Sequence, residues 1–131
     1  MDKKTYQKIL DDLGFPKEEY YILGSGSLLF YGLRETAHDM DLCISEELFH
    51  FLQYTHLLDT TKKNECGFIE LMPNVEVVVN KKEDFERDFV DGYPVEKLEK
   101  ILAFKEHRNL SKDQKDIQKI KQYLCNTPDT I

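Results

Sequence analysis

Two aspartates, one residue apart, are the first candidates for chemistry in this sequence of 131 residues. Asp39 and Asp41 stand on either side of Met40, at the start of an apolar run. In a strand, residues two apart point to the same face, so the two carboxylates would lie within reach of one cation. Carboxylate oxygens are ligands that Mg²⁺ prefers. The pair predicts a cation site, although a solvated strand end explains the same spacing when the pair is taken alone.

Two further features support this interpretation. Gly24 and Ser25 follow a short apolar stretch and precede another; glycine lets a phosphate approach the backbone, and serine supplies a hydroxyl. Glu76 interrupts an otherwise apolar run, Val75 to Val79. A carboxylate in such a strand is costly to bury unless it meets a cation or a donor, and the alternative is that Glu76 faces water.

These residues need a scaffold, and the first half of the chain predicts helices alternating with short strands. A helix capped by Asp2 and stopped by Gly14 comes first. The apolar residues that follow predict a strand over residues 20–23, a short helix over 28–31 and a second strand over 40–44.

The second half predicts a hairpin followed by helices. Two β-rich runs, residues 68–71 and 75–79, are separated by only three residues. The predicted helices are, in chain order, one capped by Ser45, a short amphipathic helix over Asp84–Val90, one with Pro94 at its first position, and one opened by a capping box of Ser111 and Gln114.

The predicted fold class is α+β. We expect a small mixed sheet of four or five strands, with helices packed on it and two C-terminal helices. A chain of 131 residues is long enough for one core and too short for two. The prediction is therefore a single domain over residues 1–131, with its core at about 20–80 and its C-terminal helices at about 94–125.

Composition excludes several classes of protein. The chain has 18 basic and 25 acidic side chains, a net charge of −7, which argues against a general nucleic-acid or membrane binder. Residues 1–93 hold 10 basic and 19 acidic side chains, whereas residues 94–131 hold 8 and 6. No apolar run approaches the roughly 20 residues of a membrane span, and the polar start differs from a signal peptide. Three cysteines without a CxxC pair indicate reduced thiols, so we expect a cytoplasmic protein.

The order and spacing of these segments resemble the nucleotidyltransferase superfamily, which has the polymerase-β-like fold. That family has a hydrophobic strand ending in Gly-Gly or Gly-Ser, then an Asp-hydrophobic-Asp pair, then a third acidic residue on a later strand. The matching segments here are Leu23-Gly24-Ser25, Tyr31-Gly32-Leu33-Arg34, Asp39-Met40-Asp41-Leu42, Val75-Glu76-Val77 and the C-terminal stretch from Lys105 to Ile117. The resemblance is to small bacterial members, akin to antibiotic nucleotidyltransferases and to the nucleotidyltransferase-like proteins of abortive-infection and toxin–antitoxin systems.

The resemblance implies a reaction that depends on Mg²⁺ or Mn²⁺. A nucleoside monophosphate would move from an NTP, such as ATP, to an acceptor hydroxyl. Asp39 and Asp41 would hold the metal, and Glu76 would complete a second metal position or act as the base. Glu76 departs from the commoner aspartate of the family, although some antibiotic-modifying members also have glutamate there.

The resemblance also implies the nucleotide-binding residues. Gly24 and Ser25 would cradle the phosphates, and Arg34 and Lys105 would neutralise charge on the leaving pyrophosphate. We expect the Lys105 stem to run along an apolar helix face with its ammonium at the cleft. The residues expected to hold the helix–turn–helix together instead are Arg108, Lys112, Asp113 and Asp116.

The alternative is a non-catalytic protein of this fold that binds a partner, for example in a toxin–antitoxin or abortive-infection pair, because one fold hosts many functions. The expected partners of an active enzyme are an NTP and an acceptor of undefined class: a small molecule, an RNA or a protein. Since little chain extends beyond the predicted core, a homodimer or a protein partner would complete the acceptor pocket. No membrane partner is expected.

Overall fold

The computed structural model describes residues 1–55 and 57–126, which form two compact units. The first unit is Met1–Glu96, and the second begins at Lys97. That the two units together form a single domain stays a prediction. Within both described ranges, every helix is too short or too polar to cross a membrane.

The first unit contains helices and strands joined by tight turns. Its described elements are α1 (Lys3–Leu13), β1 (Tyr20–Ile22), α2 (Gly24–Phe30), β2 (Met40–Ile44), α3 (Glu46–Tyr54), β3 (Ile69–Met72), β4 (Val75–Val79), β5 (Arg87–Val90) and β6 (Tyr93–Glu96). The predicted caps are confirmed: the Asp2 carboxylate accepts from the Thr5 N–H at 2.8 Å, and Ser45 Oγ accepts from the Leu48 N–H at 3.0 Å. The predicted helix over 28–31 begins earlier than expected, at Gly24.

The described strands form one mixed sheet in the order β3-β4-β2-β1-β6-β5. The pairs β2–β4 and β1–β6 are parallel, and the other neighbouring pairs are antiparallel. Leu42, Val77 and Val95 are fully buried, in one core cluster with Tyr6 of α1 and Phe30 of α2. The α+β class and the mixed sheet are confirmed, with six described strands rather than four or five.

The two additional strands correct the prediction for residues 84–94. The expected helix over Asp84–Val90 is wrong, because residues 87–90 form β5 and pair with β6. Pro94 lies inside β6, opposite Phe89, and not at the start of a helix. Asp91 and Gly92 both have positive φ, 53° and 80°, as a two-residue type I′ hairpin turn requires. The turn directs the chain back along the sheet.

The second unit is a pair of helices. They are α4 (Leu98–Arg108) and α5 (Gln114–Asn126), and a short 3₁₀ turn over Ser111–Asp113 precedes α5. The predicted capping box of Ser111 and Gln114 is wrong. The Gln114 side-chain amide instead donates to Asn109 Oδ1 at 3.1 Å, and the Asp113 carboxylate accepts from the Leu110 N–H at 3.3 Å.

Candidate active site

Two parallel strands place the central carboxylates of the candidate site. Asp41 on β2 and Glu76 on β4 are direct register partners. Met40 and Leu42, on either side of Asp41, are fully buried in the core. Because side chains alternate along a strand, Asp41 and Glu76 share the opposite face of the sheet, where both are half-buried.

Asp39 lies one residue before β2 and is exposed. The pKa of Asp41 is raised to about 6, first by burial and then by the negative charges of Glu76 and Asp39. Both neighbours are therefore near enough to oppose the ionisation of Asp41. Asp41 and Glu76 are thus direct neighbours, and the charge of Asp39 acts on Asp41; a shared cation site for the three carboxylates stays a prediction.

These carboxylates are oxygen donors suited to a hard cation. Within residues 1–55 and 57–126, however, no group of three or more acidic, histidine or cysteine side chains forms a ready-made metal site. Mg²⁺ in proteins often has only one or two carboxylate ligands, with substrate phosphates completing its coordination. The carboxylate oxygens and the negative charges around Asp41 fit such a cation. The described residues do not by themselves provide a complete set of metal ligands.

The predicted phosphate-binding residues of the first unit lie in two connected segments. Arg34 Nη1 donates to Ser25 Oγ at 3.0 Å, which joins the loop before β2 to the start of α2. Gly24 has a φ of 55°, in the left-handed region that favours glycine. Its N–H donates to Glu96 Oε1 at 2.9 Å. The backbone N–H that was expected to bind a phosphate is therefore already bound to a carboxylate of this chain.

The fold is similar to the crystal structure of a "putative nucleotidyltransferase" from Thermotoga maritima, with a TM-score of 0.56 and 20% sequence identity. The similarity covers 93% of this chain and 91% of that chain. The chain has a nucleotidyltransferase fold. No family model matches the sequence, and no curated protein is significantly similar to it. At this level of identity the similarity shows the fold alone, and it confirms the predicted resemblance at that level.

The resemblance to nucleotidyltransferases also predicted a phosphate contact for Lys105, which lies in the second unit. Its side chain is 5% exposed, and its ammonium lies 3.3 Å from the Asp116 carboxylate and 3.6 Å from the Asp113 carboxylate. Arg108 also binds Asp113, and this hydrogen bond is the main reason that the pKa of Asp113 is lowered to about 2. Lys105 therefore belongs to the charged cluster of the helix–turn–helix, in which the sequence analysis had not included it. Its contact with a triphosphate stays a prediction.

Three residues beside the candidate site of this nucleotidyltransferase fold were not predicted. The hydroxyl of Tyr6 donates to the backbone carbonyl of Asp39, and Glu96 accepts from Gly24. Glu70 on β3 is the register partner of Glu76, a like-charge pair that adds negative potential to this face. The alternation of Glu70 with apolar neighbours was a usable signal, whereas no local pattern distinguishes Tyr6 or Glu96.

Proposed function

We propose that this chain is a metal-dependent nucleotidyltransferase that moves a nucleoside monophosphate from an NTP to an acceptor hydroxyl. The observation that carries the proposal is the register pairing of Asp41 with Glu76, with Asp39 at the entry to β2. Burial is the first cause of the raised pKa of Asp41, and the negative charges of Glu76 and Asp39 raise it further; a bound divalent cation would relieve this repulsion. The nucleotidyltransferase fold supports the same assignment.

The reaction exchanges one phosphorus–oxygen bond for another. The acceptor oxygen forms a bond to the α-phosphorus, and the bond from that phosphorus to the oxygen that bridges to the β-phosphate breaks. Pyrophosphate leaves with the electron pair of the broken bond. The hydroxyl proton passes to a carboxylate, for which we propose Glu76, because it is half-buried and lies directly beside Asp41.

Asp39 and Asp41 would hold Mg²⁺ or Mn²⁺, and oxygens of the substrate phosphates would complete its coordination. The bound cation would supply Lewis-acid stabilisation of the negative charge on the phosphates. The protein's own contribution is to keep Asp41 and Glu76 on one sheet face and partly shielded from water, where their charges act more strongly than in bulk solvent.

Arg34 and Ser25 would orient the triphosphate. A guanidinium presents several N–H donors in a planar arrangement that matches phosphate oxygens, and Arg34 already lies beside Ser25 through a hydrogen bond of 3.0 Å. Gly24 would contribute its N–H only after Glu96 withdraws from it. Lys105 is carried over from the family resemblance alone, because its described partners are Asp113 and Asp116.

The test is transfer of label from each of the four α-labelled NTPs, with Mg²⁺ and with cell extract as a source of acceptors. We expect one or more NTPs to label an acceptor and release pyrophosphate. Asp41→Asn should lower the rate at least about 100-fold, since the metal and phosphate charges lose a carboxylate ligand. Asp12→Asn, at an exposed position of α1, is the matched control and should stay within about twofold of the unmodified chain. Equal rates for the two variants would contradict the proposal.

A second candidate function, non-catalytic binding of a partner, is favoured by an apolar groove between the end of α1 and α3. The groove has a volume of about 470 Å³, and apolar side chains such as Leu13, Phe15, Phe51 and Leu57 line most of it. Phe51 and Leu57 are each more than half exposed. Exposed apolar surface of this kind marks interaction sites. Absence of label transfer from the NTPs, together with a stable complex between this chain and a protein partner that Phe51→Glu disrupts, would favour this candidate.

A further inference from the structure

A buried tyrosine of α1 contacts both segments that carry the candidate site. Tyr6 has no exposed surface, and its ring packs edge-on against Phe30, with the ring centroids 6.4 Å apart. Its hydroxyl donates to the backbone carbonyl of Asp39. On the other side, a β-carbon at Gly26 of α2 would lie 2.6 Å from the hydroxyl oxygen. The hydroxyl is therefore enclosed between the start of β2 and the helix that carries Ser25.

The backbone just before β2 is also held at two other points. The Ala37 N–H donates to the Met1 carbonyl at 2.8 Å, and the Met40 N–H donates to the Asn74 carbonyl at 2.8 Å. Tyr6 binds the carbonyl of Asp39, between these two points. The Met1 amino group also donates to the Ala37 carbonyl at 2.6 Å, so the N-terminal segment contacts residues 37–39 through two bonds between Met1 and Ala37 and the side-chain bond of Tyr6.

We propose that Tyr6 is a positioning residue of the candidate site: by binding the Asp39 carbonyl it holds the exposed Asp39 carboxylate where it can share a cation with Asp41. This inference rests on the proposed function. Tyr6 touches no reacting group itself. It acts through the backbone of Asp39, since the direction of a side chain follows from the position of its own main chain.

The test compares Tyr6→Phe with Tyr93→Phe. Both rings contact Phe30, with centroid distances of 6.4 Å for Tyr6 and 5.2 Å for Tyr93. Tyr93 also donates a hydrogen bond, to Asp11 at 2.9 Å, at a place where no candidate site residue is involved. Each variant thus removes one hydroxyl and keeps the ring, and only the first releases Asp39.

Two measurements separate positioning from general stability. For Tyr6→Phe we expect amide hydrogen exchange over residues 37–41 to become at least about tenfold faster, and the affinity for Mn²⁺ alone, measured by calorimetry, to fall at least about tenfold. Tyr93→Phe should stay within about twofold of the unmodified chain in both. Unchanged exchange, or equal Mn²⁺ affinity in the two variants, would overturn the inference. If exchange increases but the unmodified chain binds no Mn²⁺, the ordering of residues 37–41 by Tyr6 is supported and the proposed metal site fails.

Discussion

Burial beside other carboxylates gives Asp41 a titration different from that of a surface aspartate. Its pKa is about 6 in the folded chain, against an ordinary value of 3.8, with burial as the first cause and Glu76 and Asp39 next. The folded state therefore holds this proton more tightly than the unfolded state does. The stability that the proton provides is fully present below about pH 4 and is lost as the pH rises through about 6.

Asp41→Asn should remove this pH dependence. We expect the unmodified chain to lose on the order of 1 kcal/mol of unfolding free energy, relative to Asp41→Asn, between pH 4 and pH 7. The figure is discounted for solvent screening, because Asp41 is only half-buried. Urea denaturation at several pH values measures it, and Asp12→Asn is the control that should keep the original slope. A parallel pH profile for Asp41→Asn would contradict the assignment of the raised pKa to this residue.

At the level of residues, the sequence indicated the carboxylates but not what supports them. Asp39 and Asp41 stand out because two acidic residues precede an apolar strand, and Glu76 stands out because it interrupts one. Tyr6 lies on an apolar helix face and resembles any core aromatic residue there. Its acceptor is 33 residues away, and no local pattern reports a contact over that separation.

Among the secondary-structure elements, α4, the 3₁₀ turn over Ser111–Asp113 and the start of α5 contain a buried charge cluster. The exposed fractions of the side chains are 5% for Lys105, 2% for Asp113 and 11% for Asp116. A carboxylate at such depth needs a cation, and removing one partner of a buried ion pair leaves the other uncompensated.

Lys105→Met should therefore lower the free energy of unfolding by about 3 kcal/mol. This expectation reverses the sequence-based one, in which Lys105 served the nucleotide and contributed little to stability. The matched control is Lys112→Met at an exposed position of the same turn, which should change stability by less than about 0.5 kcal/mol. Equal stabilities for the two variants, measured by urea denaturation, would show that the cluster is not stabilising.

Elements whose sequence signals are local were predicted correctly, whereas the helical spacing over residues 84–90 gave a wrong prediction. Asp2 and Ser45 cap helices because each side chain binds an N–H of the following turn, an interaction contained within four residues. The hairpin of β5 and β6 was missed, because residues 84–90 also have a helical spacing of apolar side chains. The turn at Asp91 and Gly92 decides between the two, and that dipeptide is a strong hairpin signal. The register of β2 with β4 depends on strands far apart in the chain and could not be derived from either one.

For the whole molecule, the net charge of −7 argues against a nucleic acid as the acceptor of the proposed reaction. Some basic side chains are also engaged within the protein, for example Lys82 with Glu19 and Glu47, and Lys121 with Glu106. A polyanion would be repelled by the net negative charge of the chain.

We accordingly expect no tight binding of RNA by the protein alone. A labelled single-stranded RNA of about 20 nucleotides should bind with a Kd weaker than about 100 µM at 150 mM salt, as measured by fluorescence anisotropy. Repeating the titration at 50 mM salt gives the number of phosphate contacts from the slope. A Kd below about 1 µM at 150 mM salt would instead indicate an RNA acceptor that the chain holds unaided.

Because α2 approaches α1 closely at Gly26, we expect positions 6, 22 and 26 to change together as the sequence diverges. A β-carbon at Gly26 would lie 2.6 Å from the hydroxyl oxygen of Tyr6 and 2.9 Å from Cγ2 of Ile22. A side chain gained at position 26 would therefore require both Tyr6 and Ile22 to move or to be replaced by smaller residues. A loss of the tyrosine at position 6 would remove the donor to residue 39 in the same step. Sequence drift at this helix contact is thereby coupled to the local order of the strand that begins at Met40.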